Sequence, residues 1–201
     1  VLQGEHVLVI APTAGGKTEA AILPVLSRML SEDWRGLSVL YLCPIRALLN
    51  NLHIRLSRYA MLVGRSCSLW HGDVTASDRN RINKAPPDIL LTTPESLEVM
   101  LVSRKTDPAG LLGQVRAVVV DELHAFAGDD RGWHLLSVLQ RVSRLAGREF
   151  QRIGLSATVG NAEVIADWLD ATLVESTWRP IDLKTGVLYG NALQFDDGTQ
   201  Q

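Results

Sequence analysis

Two short polar segments carry residue types that bind phosphate and divalent cations, and each of them follows an apolar run. The first covers 11–18 and reads Ala-Pro-Thr-Ala-Gly-Gly-Lys-Thr. Glycines let successive backbone N–H groups turn towards one anion, and a helix that begins there adds the positive end of its dipole. The segment therefore predicts a phosphate-binding loop formed by Thr13, Ala14, Gly15, Gly16, Lys17 and Thr18.

The last two residues of this loop have the most specific predicted roles. The Lys17 ammonium is predicted to reach the β and γ phosphates of a nucleotide, and the Thr18 hydroxyl to bind Mg²⁺. The usual pattern begins with glycine, whereas this one begins with Ala11. A glycine-containing turn with a solvated lysine is the alternative. The position between a strand and a helix favours the phosphate site.

The second segment is an acidic pair, Asp121 and Glu122, directly after three valines. A carboxylate that follows a buried strand lies at the carboxyl edge of the sheet, where the phosphate loop must also lie. Asp121 is predicted to hold Mg²⁺ through water, and Glu122 to orient and deprotonate the water that attacks the γ phosphate. The alternative is an acidic pair that only begins a helix and interacts with its dipole.

Both segments depend on elements that bring them to one edge. Apolar runs predict strands at 6–10, 37–43, 66–70, 88–92, 115–120 and 150–155. Helical patterns start near Lys17, with a kink expected at Pro24, and cover 76–82, 94–102 and 162–169. Two further helices are marked by apolar stripes, one of Ile45, Leu48, Leu49, Leu52 and Leu56, the other of Leu135, Val138, Leu139 and Val142. This alternation predicts an α/β fold, a three-layer α/β/α sandwich with a mainly parallel central sheet.

Length and composition indicate one domain with an ordinary core. The chain has 201 residues, of which 46% are hydrophobic and 21% charged. We assign 1–180 to the domain and 181–201 to a terminal hairpin about Gly190-Asn191, or to a linker. The net charge of −2 gives no general basic field that would attract nucleic acid. The chain starts at Val1, almost on its first strand, so we expect it to be an excerpt of a longer protein.

Sequence features also bear on where the protein resides. Cys43 and Cys67 have no Cys or His neighbour at metal-ligand spacing, and we interpret both as reduced core thiols of a cytoplasmic protein. No apolar run reaches the roughly 18 residues of a membrane span. We therefore expect no membrane partner.

The order of the motifs resembles that of superfamily 2 helicases. Lys17-Thr18, then Asp121-Glu122-Leu123-His124, then Ser156-Ala157-Thr158 follow this order, and Asp-Glu-x-His is typical of the DExH branch. Pro44-Ile45-Arg46-Ala47-Leu48 resembles motif Ia, and Thr92 to Leu97 resembles motif Ib. Trp70-His71-Gly72-Asp73 and Gly132-Trp133-His134-Leu135 look most like the large helicase-related (Lhr) group.

This resemblance implies a RecA-like first motor domain that uses ATP and Mg²⁺. In such helicases a second RecA-like domain of the same chain supplies arginine fingers that complete the site. Catalysis is carried over to Lys17, Asp121, Glu122 and His124. Ser156 and Thr158 are implied to couple hydrolysis to strand movement, with His124 bonded near them. A histidine on a helix surface is the alternative for His124.

The resemblance also implies a nucleic-acid partner, with DNA favoured, as a single strand or a duplex junction. The contacts carried over are Pro44, Arg46, Gly72, Thr93, Pro94 and Ser96. Thr93 suits a helix N-cap and Pro94 the first helical position, so N–H groups are left to bind a phosphate. An ordinary capped helix is the alternative. Contacts of this kind recognise phosphate and sugar rather than bases.

Other functions remain as alternatives to an ATP-dependent helicase. One is a duplex DNA translocase of a restriction or phage-defence system, and another is a nucleotide-binding interaction module that does not hydrolyse. A small-molecule kinase fits less well, because it would not explain Ser156-Ala157-Thr158. The adenine-recognising segment of the superfamily would lie before Val1. We expect these 201 residues alone to bind nucleotide weakly and to hydrolyse hardly any of it.

Overall fold

The computed structural model describes 1–104, 106–127, 130–157, 159–179, 181, 185–190 and 192–196. Within those residues seven strands form one sheet, in the order β3-β4-β2-β5-β6-β1-β7. The strands are β1 Val7–Ile10, β2 Val39–Leu42, β3 Cys67–Trp70, β4 Ile89–Thr92, β5 Ala117–Val120, β6 Gln151–Ser156 and β7 Thr172–Glu175. All their pairings are parallel, which confirms the predicted sheet type.

Helices cover both faces of this sheet. They are α1 Lys17–Ser31, α2 Arg46–Leu62, α3 Ala76–Lys84, α4 Pro94–Val102, α5 Pro108–Leu112, α6 Asp130–Ala146 and α7 Ala162–Leu169. One apolar cluster joins α1 and α2 to the sheet, and a second cluster joins α3 to α7 to the opposite face. The fold is therefore the predicted α/β/α sandwich. None of the described helices has the length and apolar character needed to cross a membrane.

Alternation along the strands decides which side chains face the site. Successive strand residues point to opposite faces. In β2, Val39 and Tyr41 belong to the cluster under α1 and α2, whereas Leu40 and Leu42 belong to the other. Because the strands are parallel, the residues that follow β1, β2, β5 and β6 meet at one carboxyl edge.

The predicted stripe of α2 is only partly correct. Leu49 and Leu56 are fully buried, but Ile45 is 53% exposed and Leu48 is 36% exposed. Ile45 is the extended N-cap residue that precedes the helix, so it does not share the helical face. Leu48 lines the cavity described below instead of the core.

Other differences concern short elements. α5 and β7 were not predicted, since both are short and β7 is an edge strand with largely exposed residues. α1 continues through Pro24 to Ser31. The predicted terminal hairpin is present as β8 Gly186–Tyr189 and β9 Ala192–Phe195, which pair antiparallel. Its predicted turn residue Asn191 lies outside the described residues.

Candidate functional site

The loop between β1 and α1 is a tight turn that requires glycine. Ala14 and Gly16 adopt left-handed conformations, with φ of 64° and 77°. The Gly15 N–H donates to the Pro12 carbonyl at 3.0 Å, and a Cβ at Gly15 would lie 2.9 Å from the same oxygen. A larger residue at Gly15 would therefore open the turn.

Lys17 points into the concave side of this loop. Its Nζ donates to the carbonyl oxygens of Ala11 at 2.7 Å and Pro12 at 3.1 Å. The Ala20 N–H donates to Gly16 across the first turn of α1, so the N–H groups before Ala20 have no acceptor within the helix. These donors and the ammonium form the positive surface that an anion needs.

The acidic pair lies at the end of β5, at the same edge. Asp121 is only 8% exposed, and each of its carboxylate oxygens accepts a hydrogen bond. Oδ2 accepts from the Tyr41 hydroxyl at 2.7 Å, and Oδ1 accepts from the Glu122 N–H at 2.9 Å. Glu122 follows in a left-handed conformation, with φ of 50°, and begins a 3₁₀ turn at Leu123–Ala125.

One open cavity of about 500 Å³ brings these segments together. Its lining contains the whole predicted phosphate loop and both acids, that is Thr13, Ala14, Gly15, Gly16, Lys17, Thr18, Asp121 and Glu122. The remaining lining residues include Leu48, Asn51, Leu52 and Arg55 of α2, which the sequence did not indicate. A helical stripe of leucines predicts core packing, so only the structure shows that Leu48 lines the cavity.

The donor set fits a magnesium ion held mainly by a nucleotide. Thr18 and Asp121 supply a hydroxyl and a carboxylate, which are hard oxygen ligands. No group of three or more His, Cys, Asp or Glu side chains that would hold a metal occurs in the described part of the chain. Magnesium commonly binds through one or two carboxylates plus substrate phosphates, and these residues suit that arrangement.

Burial sets the protonation of two groups beside the acids. The pKa of the Tyr41 phenol lies well above its usual value, because the group is buried and next to the Asp121 carboxylate. The Thr18 hydroxyl acts in the opposite direction on the same pKa. Burial also raises the pKa of the Cys43 thiol to about 12. Both groups therefore stay protonated at neutral pH, and Tyr41 keeps the proton that it donates to Asp121.

His124 connects the acidic pair to the end of β6. Its Nδ1 lies 3.2 Å from the Ser156 hydroxyl, and its Nε2 lies 3.5 Å from Glu122 Oε2. Ser156 is fully buried, and His124 is half-buried. The predicted bond of His124 near Ser156 is thus present, and the contact with Glu122 adds to it. Thr158 lies outside the described residues.

The predicted nucleic-acid contacts form two adjoining groups. At the start of α4, the Thr93 hydroxyl caps the helix by accepting from the Ser96 N–H at 3.2 Å, and Pro94 is in the first turn. At the start of α2, Arg46 donates to Asp73 at 3.3 Å, and its guanidinium lies 3.0 Å from a Cβ built on Gly72. Motif Ia and the loop after β3 are therefore in contact.

Arg131 of α6 joins these groups, and sequence reasoning did not identify it. Its Nη2 donates to Glu95 Oε1 at 3.1 Å and to the Pro44 carbonyl at 3.4 Å. Its guanidinium also lies over the Phe126 ring, 5.2 Å from the centroid. Arg131 thus links the segment after the acidic pair to both motif Ia and motif Ib.

His71 holds the loop after β3 and was not assigned a separate role either. Its Nδ1 accepts from the Asp73 N–H at 3.2 Å, so Nε2 carries the proton and donates to Asn50 Oδ1 at 3.2 Å. Arg79 donates to the carbonyl oxygens of His71 and Gly72. The loop is fixed between α2 and α3.

Comparisons with known proteins identify relatives of this chain. Residues 1–165 match the DEAD/DEAH box helicase family. The Lhr helicase/uracil glycosylase of Escherichia coli strain K12 is 42% identical over 188 residues, which cover 83% of this chain and 12% of that protein. The ATP-dependent DNA helicase Hel308 of Pyrobaculum calidifontis is 38% identical over 201 residues, which cover 100% of this chain and 26% of that protein.

The fold is also similar to that of a solved helicase structure. The helicase Lhr of Mycobacterium smegmatis, bound to ssDNA and AMP-PNP, has a TM-score of 0.75 and 38% identity over 88% of this chain and 24% of that chain. The present chain thus spans about a quarter or less of the length of these relatives. The resemblance to Lhr-like superfamily 2 helicases is confirmed, and the chain belongs to the DEAD/DEAH box helicase family.

Proposed function

We propose that this chain is the first RecA-like motor domain of an ATP-dependent DNA helicase. The observation that carries the proposal is the single cavity lined by the phosphate loop and by both acids. Glu122 lies at this cavity and His124 links it to Ser156, so a change at the nucleotide has a direct path to β6.

The chain's own residues have separate tasks in this proposal. Lys17 exchanges the Ala11 and Pro12 carbonyls for the β and γ phosphates of ATP, since both are hydrogen-bond acceptors for its ammonium. Glu122 orients the attacking water and accepts its proton. Thr18 and Asp121 would hold Mg²⁺, which when bound neutralises phosphate charge.

The proposed DNA face lies at the same carboxyl edge. Thr93 and Ser96 place a capped helix start there, and Arg46 and Gly72 form the adjoining group. Helix N–H groups and arginine bind backbone phosphates without reading bases, so we propose contacts with the phosphates of a single strand. The DNA-bound Lhr relative supports DNA as the partner.

The same proposal includes coupling and a second domain. The His124–Ser156 contact supports a role for His124, Ser156 and Thr158 in transmitting hydrolysis to strand movement. The relatives are much longer than this chain, which supports a second RecA-like domain that completes the site. We keep 1–180 as the motor domain and 181–201 as the hairpin or linker towards that second domain.

Replacing the proposed base tests this function. In the full protein, Glu122→Gln is expected to lower ssDNA-stimulated ATP turnover about a hundredfold or more, the usual contribution of a general base. Nucleotide affinity should stay within a few-fold of the parent, since the amide keeps the shape of the side chain. Turnover is measured as phosphate release with and without ssDNA.

Glu163→Gln is the matched control, because Glu163 is exposed at the start of α7. It should leave both quantities unchanged. Turnover of Glu122→Gln equal to that of the parent would remove Glu122 from its assigned role. Absence of ssDNA stimulation in the parent would contradict the DNA motor.

A further inference from the structure

Tyr41 places a buried hydroxyl group in an otherwise apolar strand. β2 reads Val-Leu-Tyr-Leu, and all four residues are fully buried. A buried tyrosine hydroxyl needs a hydrogen-bond partner, since leaving it without one costs free energy. Its partner is the Asp121 carboxylate, which accepts at 2.7 Å.

The sheet register explains why these two residues meet. Tyr41 pairs with Val119 of β5, and both belong to the cluster under α1 and α2. Asp121 directly follows β5 and lies two residues beyond Val119, so its side chain has the same orientation. The long tyrosine side chain spans this offset, whereas a valine or leucine at the same position would have no polar group to offer.

The two carboxylate oxygens of Asp121 are each held by one donor. Tyr41 donates to Oδ2, and the Glu122 N–H donates to Oδ1 at 2.9 Å. A carboxylate oxygen can accept more than one hydrogen bond or ligand, so both oxygens keep a lone pair for water or a cation. The side chain is therefore oriented without being saturated.

Thr18 of the phosphate loop lines the same cavity as Asp121. The Tyr41 bond therefore orients a carboxylate at the cavity where both predicted magnesium ligands lie.

We propose that Tyr41 is a positioning residue for the divalent-cation site, orienting the Asp121 carboxylate before the cation binds. The assignment rests on the proposed function, because it names a residue that serves the same nucleotide site. Tyr41 acts through Asp121 and does not itself line the cavity. Its effect should therefore appear in the magnesium dependence of nucleotide binding.

The test compares Tyr41→Phe with the parent in the full protein. Binding of the fluorescent nucleotide N-methylanthraniloyl-ADP is measured over a magnesium titration and again with EDTA. The magnesium concentration for half-maximal binding is expected to rise about tenfold, the change that loss of one charge-assisted hydrogen bond produces. Affinity in EDTA should not change, since the phosphate loop is untouched.

Tyr59→Phe is the matched control, because it removes a tyrosine hydroxyl that donates to a different carboxylate. The Tyr59 hydroxyl donates to Glu19 Oε1 at 3.0 Å, and Glu19 lines the same cavity, so this variant removes a tyrosine–carboxylate bond that does not involve Asp121. Its magnesium midpoint should equal that of the parent. Far-ultraviolet circular dichroism and the thermal midpoint of both variants verify the fold, so a general loss of structure is not mistaken for the specific effect.

The outcomes separate this role from the proposed function. A parental magnesium midpoint in folded Tyr41→Phe overturns the role of Tyr41 and leaves the nucleotide site intact. An equal rise in Tyr41→Phe and Tyr59→Phe overturns it as well, since the effect would then belong to packing against α1. A parent without any magnesium-dependent nucleotide binding overturns the proposed function, and this assignment with it.

Discussion

Gly16 and Gly64 adopt nearly the same left-handed backbone conformation in different surroundings. Their φ angles are 77° and 69°, and a Cβ on either glycine would meet no described atom within 4 Å. Replacement by alanine should therefore cost each site about 1–2 kcal/mol of unfolding free energy, from backbone strain alone. Only Gly16 faces the phosphate cavity, so only Gly16→Ala should also weaken nucleotide binding.

Urea unfolding and nucleotide titration of both variants check this prediction. Gly64→Ala is the control, because it should lower stability by the same amount without a change at the nucleotide cavity. If both variants bind nucleotide like the parent, the loop backbone does not approach the phosphates at Gly16.

Single residues differ in how far the sequence predicts them. The positions of Lys17, Thr18, Asp121 and Glu122 at one cavity were predictable, because each belongs to a segment that follows an apolar strand ending at the carboxyl edge of a parallel sheet. Tyr41 was not, since an aromatic residue in a buried strand usually packs, and its partner depends on the register between β2 and β5. A polar-tipped side chain in an all-apolar strand is the signal that was available.

The stability of the fold should depend on pH through His71, which lies in the loop between β3 and α3. Burial lowers the pKa of His71 below 6.5; Asp73 opposes this shift, and Arg46 and Arg79 add to it. Between the lowered pKa and 6.5 the unfolded chain binds more protons than the folded one. The stabilising contribution of neutral His71 is therefore complete above pH 6.5, and it is lost as the pH falls through the lowered pKa.

Two measurements check this dependence. Nitrogen-15 NMR should show the Nε2–H tautomer at neutral pH and a titration midpoint below 6.5. The unfolding free energy of His71→Gln should fall less than that of the parent on acidification. His6, whose pKa burial also lowers, is present in both proteins, so the difference isolates His71. A midpoint at or above 6.5 would contradict the burial argument.

Arg131 should affect DNA binding by holding two elements in place. It joins α6 to Glu95 at the start of α4 and to Pro44 before α2. Arg131→Met removes these bonds, and we expect ssDNA affinity to fall about fivefold, equivalent to about 1 kcal/mol. Arg144→Met is the control, because Arg144 is exposed on the same helix and its loss changes the net charge equally.

Fluorescence anisotropy with labelled ssDNA measures both arginine variants. Equal loss in Arg131→Met and Arg144→Met would attribute the effect to general charge.

The sequence placed α4 correctly, at 94–102, because Thr93-Pro94 is a strong helix start. It did not indicate Arg131, since bonds between elements distant in sequence follow from packing rather than from local pattern.

At the scale of the whole molecule, the carboxyl edge of one sheet carries both the nucleotide cavity and the proposed DNA face. The order of the strands in the sheet could not be predicted from the sequence, because periodicity identifies strands but not which of them are neighbours. Because a net charge of −2 gives no general basic field, the proposed DNA contact depends on groups local to this edge. This localisation predicts a modest salt dependence of binding, since few phosphates are neutralised.

This chain spans about a quarter or less of the length of its relatives, so we expect the proposed motor domain alone to be a poor ATPase. Glu122 and the phosphate loop are in place, but arginine fingers that complete such sites contribute about 10³–10⁵ in rate. The 201 residues alone should therefore bind nucleotide yet turn over ATP at least ~10³-fold more slowly than the full protein, with or without ssDNA. Phosphate release per molecule, at saturating nucleotide, measures both. Comparable turnover would mean that the described cavity is catalytically complete, and that a second domain serves strand movement rather than chemistry.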